Sequence, residues 1–204
     1  MYLPKIREIK EALSSFFTKP YTSKFPKEPF KAAEEYRGKP RYDGVFCIGC
    51  GTCAQVCPAQ AIEIIDNKEL LKRTLTVSYL SCINCGQCEE NCITGKGIKM
   101  TNEYSFAVMD KTDPKNFESV EKEIVLCEIC GEVIAPRDHL LWVKERLGAK
   151  AYAHPNFLLE EQKAIFEAAP SIPKSRIRRE DQIKELCSKC RHKVVVEDEF
   201  YTVH

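Results

Sequence analysis

Eight of the twelve cysteines fall into two copies of one spacing, Cys47, Cys50, Cys53, Cys57 and Cys82, Cys85, Cys88, Cys92, with gaps of two, two and three residues. A 4Fe-4S cubane presents four iron corners, each wanting one thiolate. A cysteine at every third residue lets a tight loop wrap three corners while the fourth ligand arrives from elsewhere in the chain. Where two such runs occur together, the last cysteine of each ligates the neighbouring cluster. The spacing therefore predicts Cys47, Cys50, Cys53 and Cys92 around one 4Fe-4S cluster, and Cys82, Cys85, Cys88 and Cys57 around a second.

The runs also agree between their cysteines, Cys47-Ile48-Gly49-Cys50-Gly51 against Cys82-Ile83-Asn84-Cys85-Gly86, with starts 35 residues apart. That repeat predicts a pseudo-symmetric fold. Gly51 and Gly86 hold the same place in each loop, where the missing β-carbon tolerates positive φ and lets backbone amides approach. Pro58 follows Cys57, as the bacterial pattern requires, but Ile93 follows Cys92. The repeat thus leaves open how the chain leaves the second run.

Disulfides, or zinc in place of iron, would also consume cysteines. Disulfides need an oxidising compartment, and no basic-then-apolar signal segment precedes Pro4. Structural zinc usually takes two separated pairs, which suits packed quartets poorly. All twelve cysteines find places as ligands, four, four and four, which favours a reducing interior.

The chain is expected to divide into three parts. Residues 1–43 carry no cysteine and hold ten Lys or Arg against six Asp or Glu. Over residues 5–17, Ile6, Ile9, Leu13, Phe16 and Phe17 share one face of an amphipathic helix. Pro20, Pro26 and Pro29 then stiffen a docking strap from Lys19 to Pro40, with Tyr21, Phe25, Phe30 and Tyr36 as anchors. A basic arm of this kind suits an acidic protein surface or anionic lipid headgroups; the alternative is that it folds back on the cysteine-run module. Residues 44–110 form the 2x 4Fe-4S domain. Strands are predicted at 62–65 and 74–79 around the turn 66–69, and at 98–101 and 105–109 across Asn102-Glu103.

Residues 111–204 form a four-cysteine unit. Cys127-Glu128-Ile129-Cys130 and Cys187-Ser188-Lys189-Cys190 are two knuckles of a tetrahedral thiolate site. Zinc is expected at Cys127, Cys130, Cys187 and Cys190, with a mononuclear, rubredoxin-like iron as the alternative. The 56 residues between the knuckles predict helices at 137–147 and 156–169 and a shorter one before Cys187. Arg176, Arg178 and Arg179 read as a solvated basic turn. His139, His154 and His192 read as surface or packing residues, and Trp142 as core.

These patterns define an α+β chain: a two-cluster bacterial-type ferredoxin fold with an N-terminal amphipathic helix and extended arm, plus a C-terminal zinc-ribbon-like unit with a helical insertion. The formal net charge of +1 does not suit a nucleic-acid binder. Nothing approaches the run of about twenty apolar residues that spans a membrane, so a soluble or peripheral protein is expected. With cysteine on every iron corner there is no open coordination position, and no catalytic residues stand out. The expected role is to pass single electrons through two adjacent clusters.

Glu34-Glu35-Tyr36-Arg37-Gly38-Lys39-Pro40 leading into Cys47-Ile48-Gly49-Cys50 resembles the eight-iron subunit shared by respiratory complex I and group 4 membrane-bound NiFe hydrogenases. The pairs Cys127/Cys130 and Cys187/Cys190 are similar to those of the formate hydrogenlyase version. The resemblance implies a non-catalytic subunit of an oxidoreductase complex, peripheral on the cytoplasmic face of the cell membrane. It implies hydrogenase-type small and large subunits as partners and a membrane-arm subunit clamped by the N-terminal helix. It also implies a formate dehydrogenase or other iron-sulfur protein as donor, and no nucleic acid. The rival readings are a free soluble ferredoxin and a complex I-like oxidoreductase with another donor.

Overall fold

A computed structural model of the chain describes residues 5–19, 22, 24, 27–28, 30–105, 108–166 and 179–196. Pro20, Tyr21, Phe25, Pro26 and Pro29 of the strap, residues 106–107, the predicted helix end at 167–169, and Arg176 and Arg178 lie outside the described residues. The chain forms two compact units, residues 1–35 and 36–204.

The first unit holds helix α1, Ile6–Phe17. The Glu8 carboxylate accepts the Lys5 backbone N–H at 3.0 Å, meeting a donor that the helix start leaves free. Ile6, Phe16 and Phe17 are more than four-fifths exposed, and α1 buries no residue. The apolar stripe is left largely exposed, with Ile9 and Leu13 about half covered.

The second unit begins with β1, Pro40–Tyr42, and α2, Thr52–Gln55, and continues with β2, Ile62–Asn67, and β3, Lys72–Ser78. β2 and β3 make an antiparallel hairpin in which Ile62 faces Val77 and Ile64 faces Leu75. Asn67 Oδ1 closes its turn by accepting the N–H groups of Glu69 and Leu70 at 3.0 and 2.9 Å. α3, Gln87–Glu90, and β4, Ile98–Met100, complete the second half of the repeat.

The predicted strand 105–109 lies in part outside the described residues, at 106–107. β4 pairs antiparallel with β1, Ile98 opposite Tyr42. The ladder extends outward: the Gly38 N–H donates to the Thr101 carbonyl at 2.7 Å and the Lys39 N–H to that of Glu103 at 3.2 Å. A β-carbon on Gly38 would stand 2.0 Å from the Glu103 carbonyl oxygen, so only glycine admits this approach. Residues 101–103 thus lie beside residues 38–39. The segment before the first cysteine run closes the sheet after the second.

β5, Phe117–Leu126, pairs with β3, and β6, Val133–Pro136, with β5, giving the sheet order β2-β3-β5-β6. Along β5, Val120 and Ile124 point inward and Val120 meets Leu75. A register shift between Val125 and Leu126 buries Val125 as well and delivers the chain to Cys127. α4, Arg137–Leu147, fills its predicted range, and α5, Pro155–Phe166, covers most of its own. The element before Cys187 is a short 3-10 turn, Arg179–Ile183, and α6, Ser188–Val196, follows. Trp142 is half-buried, its ring capped by the Arg146 guanidinium 4.0 Å from the centroid.

Two cores result. One joins Ile62, Leu75, Val77, Tyr79, Ile98 and Val120 to Cys47, Cys53 and Cys88; the other joins Leu186 and Val194 to Cys127 and Cys190. Each fully buried Leu or Val contributes about 1.5–3 kcal/mol. Cores this small leave a large share of the stability to whatever the cysteines bind.

Candidate metal centres

Each cysteine run folds around left-handed residues. Positive φ recurs at equivalent places in the two halves, Gly49 and Asn84, Gly51 and Gly86, Gln60 and Gly95. Gly51 and Gly86 sit at the starts of α2 and α3, so each loop turns sharply into a single helical turn that carries its third cysteine inward. A β-carbon on Gly51 would lie 2.8 Å from Ile64 Cδ1.

The loop after Cys92 closes like its twin although it lacks the proline. The Gln60 N–H donates to the Cys57 carbonyl at 3.2 Å and the Gly95 N–H to the Cys92 carbonyl at 2.8 Å. Thr94 supplies the constraint, its hydroxyl 3.3 Å from Cys92 Sγ and accepting the Gly97 N–H at 3.0 Å.

The cysteines gather in two cavities. Cys47, Cys50, Cys53 and Cys92 line one, with Tyr42, Leu75 and Ile98. Cys57, Cys82, Cys85 and Cys88 line the other, with Ile62, Val77 and Met100. Each cavity joins three cysteines of one run to the last of the other. Cys53 and Cys88, one from each, belong to the same buried core. None of the twelve cysteines forms a disulfide.

The surroundings suit thiolates only when positive charge accompanies them. Burial raises the thiols of Cys47 and Cys82, pushes Cys53 up to about 11 and Cys88 up to about 12. Hydrogen-bond donors partly compensate. The Ala61 N–H donates to Cys57 Sγ at 3.3 Å. At Cys92, burial is outweighed by the Thr94 hydroxyl and the amides of Thr94, Gly97 and Ile98, and the thiol falls below its ordinary value. Such apolar pockets, with sulfurs in fours and amide donors at hand, fit the iron-sulfur cubane that the spacing predicts.

Basic side chains hold both loops by their carbonyls. Arg73, paired with Asp66 at 2.7 Å, donates to the Gly49 carbonyl at 3.2 Å. Lys122 donates to the Gly44 carbonyl at 2.7 Å, and Arg37 to the Cys85 carbonyl at 2.9 Å. Sequence reasoning assigned none of these roles. No strand is predicted at Lys122, and neither it nor Arg73 meets the loop until β3 and β5 are paired.

Cys127, Cys130, Cys187 and Cys190 converge, their sulfurs all within 4.8 Å of one another and those of Cys130 and Cys187 3.7 Å apart. A tetrahedron with metal-sulfur bonds of about 2.3 Å has edges of about 3.8 Å, so the quartet fits a single ion. Amides of Cys130, Cys187 and Ile129 bring the Cys127 thiol down to about 7 against the opposing effect of burial. His192 is exposed and stands outside the quartet. Behind the site Glu185, 2% exposed, is pushed up to about 8 by burial and by the nearby Glu160 carboxyl, with Lys163 opposing.

Paired cysteine-lined pockets between duplicated loops define a two-cluster, ferredoxin-type iron-sulfur protein. The 4Fe-4S dicluster domain family matches residues 46–96. The chain belongs to the family of NADH-quinone oxidoreductase subunit I: it is 31% identical over 121 residues to subunit I 2 of Geobacter metallireducens, spanning 92% of that protein and 55% of this one. It is 34% identical over 108 residues to the NAD(P)H-quinone oxidoreductase subunit I of Gloeobacter violaceus, the match spanning half the length of each. Formate hydrogenlyase subunit 6 of Escherichia coli is 28% identical over 172 residues, 80% of this chain and 91% of that protein. A chain from the membrane-bound sulfane sulfur reductase, an archaeal respiratory membrane complex, matches at 31% identity and a TM-score of 0.39, over 52% of this chain and 56% of its own. Among the described residues no helix is long and apolar enough to cross a membrane.

Proposed function

We propose that this chain relays single electrons between an iron-sulfur donor and the cluster-bearing small subunit of a membrane-bound, hydrogenase-type complex. The observation that carries the reading is the pair of adjacent cavities, each lined by three cysteines of one run and the last of the other. Cys47, Cys50, Cys53 and Cys92 hold one 4Fe-4S cluster, and Cys82, Cys85, Cys88 and Cys57 the other. When bound, the clusters supply one-electron oxidation and reduction. The chain's own part is to hold eight thiolates, exclude water with Leu75, Val77 and Ile98, and direct amide donors at sulfur.

The formate hydrogenlyase type is favoured by extent. An alignment of 172 residues cannot fit within the N-terminal 110 and must enter the four-cysteine unit. That unit holds zinc in this reading, as a closed tetrathiolate shell suits a redox-inert structural ion; a rubredoxin-like iron is the competing occupant. The exposed apolar stripe of α1 supports residues 1–43 as the clamp to a membrane-arm subunit on the cytoplasmic face. The complex I-like reading with another donor is supported by the subunit I relatives. A free ferredoxin would leave α1 and the four-cysteine unit without a purpose.

Anaerobic preparation followed by metal analysis tests the cofactors: about eight irons and one zinc per chain are expected from the ligand count, and two irons, or four zincs without iron, would overturn them. Deleting residues 1–35, which leaves Arg37, Gly38 and β1 in place, tests the assembly. Loss of the chain from the membrane fraction, with its neighbours identified by mass in the intact case, supports a complex subunit. Unchanged partners would support a shuttle.

A further inference from the structure

We infer that Lys122 and Asp138 form a charge pair beside the loop of the first cysteine run that positions this loop and sets the reduction potential of the cluster its cysteines hold. The inference rests on the two-cluster reading above and concerns residues outside both cysteine runs.

Lys122 lies on β5 directly opposite Arg73 on β3. Like charges facing each other across strands repel, and each here has its own carboxylate, Asp66 for Arg73 and Asp138 for Lys122 at 2.7 Å. The two cations converge on one loop: Arg73 binds the Gly49 carbonyl and Lys122 that of Gly44. The Lys122 stem crosses Gly49 so closely that a β-carbon there would meet its Cβ and Cγ at 3.1 and 3.2 Å. Gly44 and Gly49 bracket Cys47 in the chain, so both contacts of Lys122 fall on the loop that carries this ligand. The lysine side chain is only 10% exposed, whereas that of Asp138 is 46% exposed. Water therefore screens the carboxylate more than the ammonium, and a net positive field reaches the pocket. Asp138 belongs to the first turn of α4, so the four-cysteine half of the chain acts on the first pocket through this pair. The second pocket's loop is held by Arg37 and is outside this arrangement.

A fixed positive charge stabilises the reduced, more negative state. Reduction adds one electron from a mediator dye, and no bond forms or breaks. Removing the ammonium leaves the Asp138 carboxylate behind and lowers the potential. Neutralising Asp138 unmasks the ammonium and raises it. A purely mechanical latch would be loosened by both changes, without opposite signs.

The test is an anaerobic redox titration followed by electron paramagnetic resonance on the full chain, comparing wild type, Lys122→Gln, Lys122→Arg and Asp138→Asn. The first-pocket signal is identified by its loss in Cys50→Ser. In that signal the midpoint is expected to fall in Lys122→Gln, rise in Asp138→Asn and stay near wild type in Lys122→Arg, while the other signal does not move. Shifts of the same sign, or none, overturn the inference. Should Lys122→Gln lose its iron, the rise in Asp138→Asn is still required. Wild-type protein holding about four irons instead of about eight would sink the two-cluster reading itself.

Discussion

Arg37 Nη1 donates to the carbonyl oxygen of Cys85 at 2.9 Å, joining the segment before the first cysteine run to the loop of the second. The contact depends on β1 and β4 pairing, which brings residues 38–42 alongside residues 98–103. A planar guanidinium spans this distance and keeps its charge in any environment. The Glu-Tyr-Arg-Gly-Lys-Pro stretch thereby acquires a physical task, with the arginine bracing a cluster loop and the glycine admitting the strand that places it.

Replacing Arg37 by Met removes one charge-assisted hydrogen bond in an exposed site, a loss of about 1 kcal/mol. The second pocket should open more often while the first is unaffected. Iron released under air should fall in two phases, with about half lost early. A single phase like that of wild type would contradict this.

Gly38→Ala forces a β-carbon against the Glu103 carbonyl oxygen. Relieving the overlap means parting residue 38 from Thr101 and loosening the β1-β4 ladder, at a cost of about 3 kcal/mol. Cluster absorbance should bleach at a lower temperature than in wild type. An unchanged midpoint would show that the ladder yields freely.

Gly51→Ala carries two penalties, a φ of 81° and a contact of 2.8 Å with Ile64 Cδ1. The first costs about 1–2 kcal/mol and belongs to the backbone; the second belongs to one methyl group. Combining Gly51→Ala with Ile64→Val should recover part of the lost stability and no more. Full recovery in a double-mutant comparison would show that the left-handed conformation is not under strain.

Cys187→Ser, or a strong chelator, should empty the four-cysteine site without stripping the cubanes. Metal binding in such sites supplies on the order of 10 kcal/mol, far more than the core of Leu186 and Val194 contributes. Protease should then cut within residues 127–196 while iron per chain stays near the wild-type value. Loss of both metals together would tie the two units more closely than their separate cores imply.

Burial, and then the nearby Arg73 guanidinium, hold His139 below its ordinary value of 6.5. A folded pKa below the unfolded one means that the unfolded chain binds more protons as pH falls. Stability from the neutral imidazole is therefore complete above about pH 6.5 and declines as pH drops toward the depressed value. His139→Gln should flatten this part of the profile, read by chemical denaturation of the holoprotein between about pH 5 and 7. A profile that stays as steep in the variant would assign the dependence elsewhere.

Features governed by neighbours along the chain were readable from the residues alone. The cysteine spacing, the left-handed positions at residues 51 and 86, the β2-β3 hairpin and the range of α4 follow from bond geometry, periodicity and turn chemistry within a few residues. The pairing of β4 with β1 was not readable, because the two strands are more than fifty residues apart in the chain and only the close approach of Gly38 to Glu103 lets them meet. Nor was β5 readable at residues 117–126, and without it nothing announced that Lys122 would stand opposite Arg73 and reach the loop between Gly44 and Gly49. Local patterns say what each segment prefers to become; which loops share a wall, and which charges face a pocket, are settled only when distant segments compete to bury the same surface.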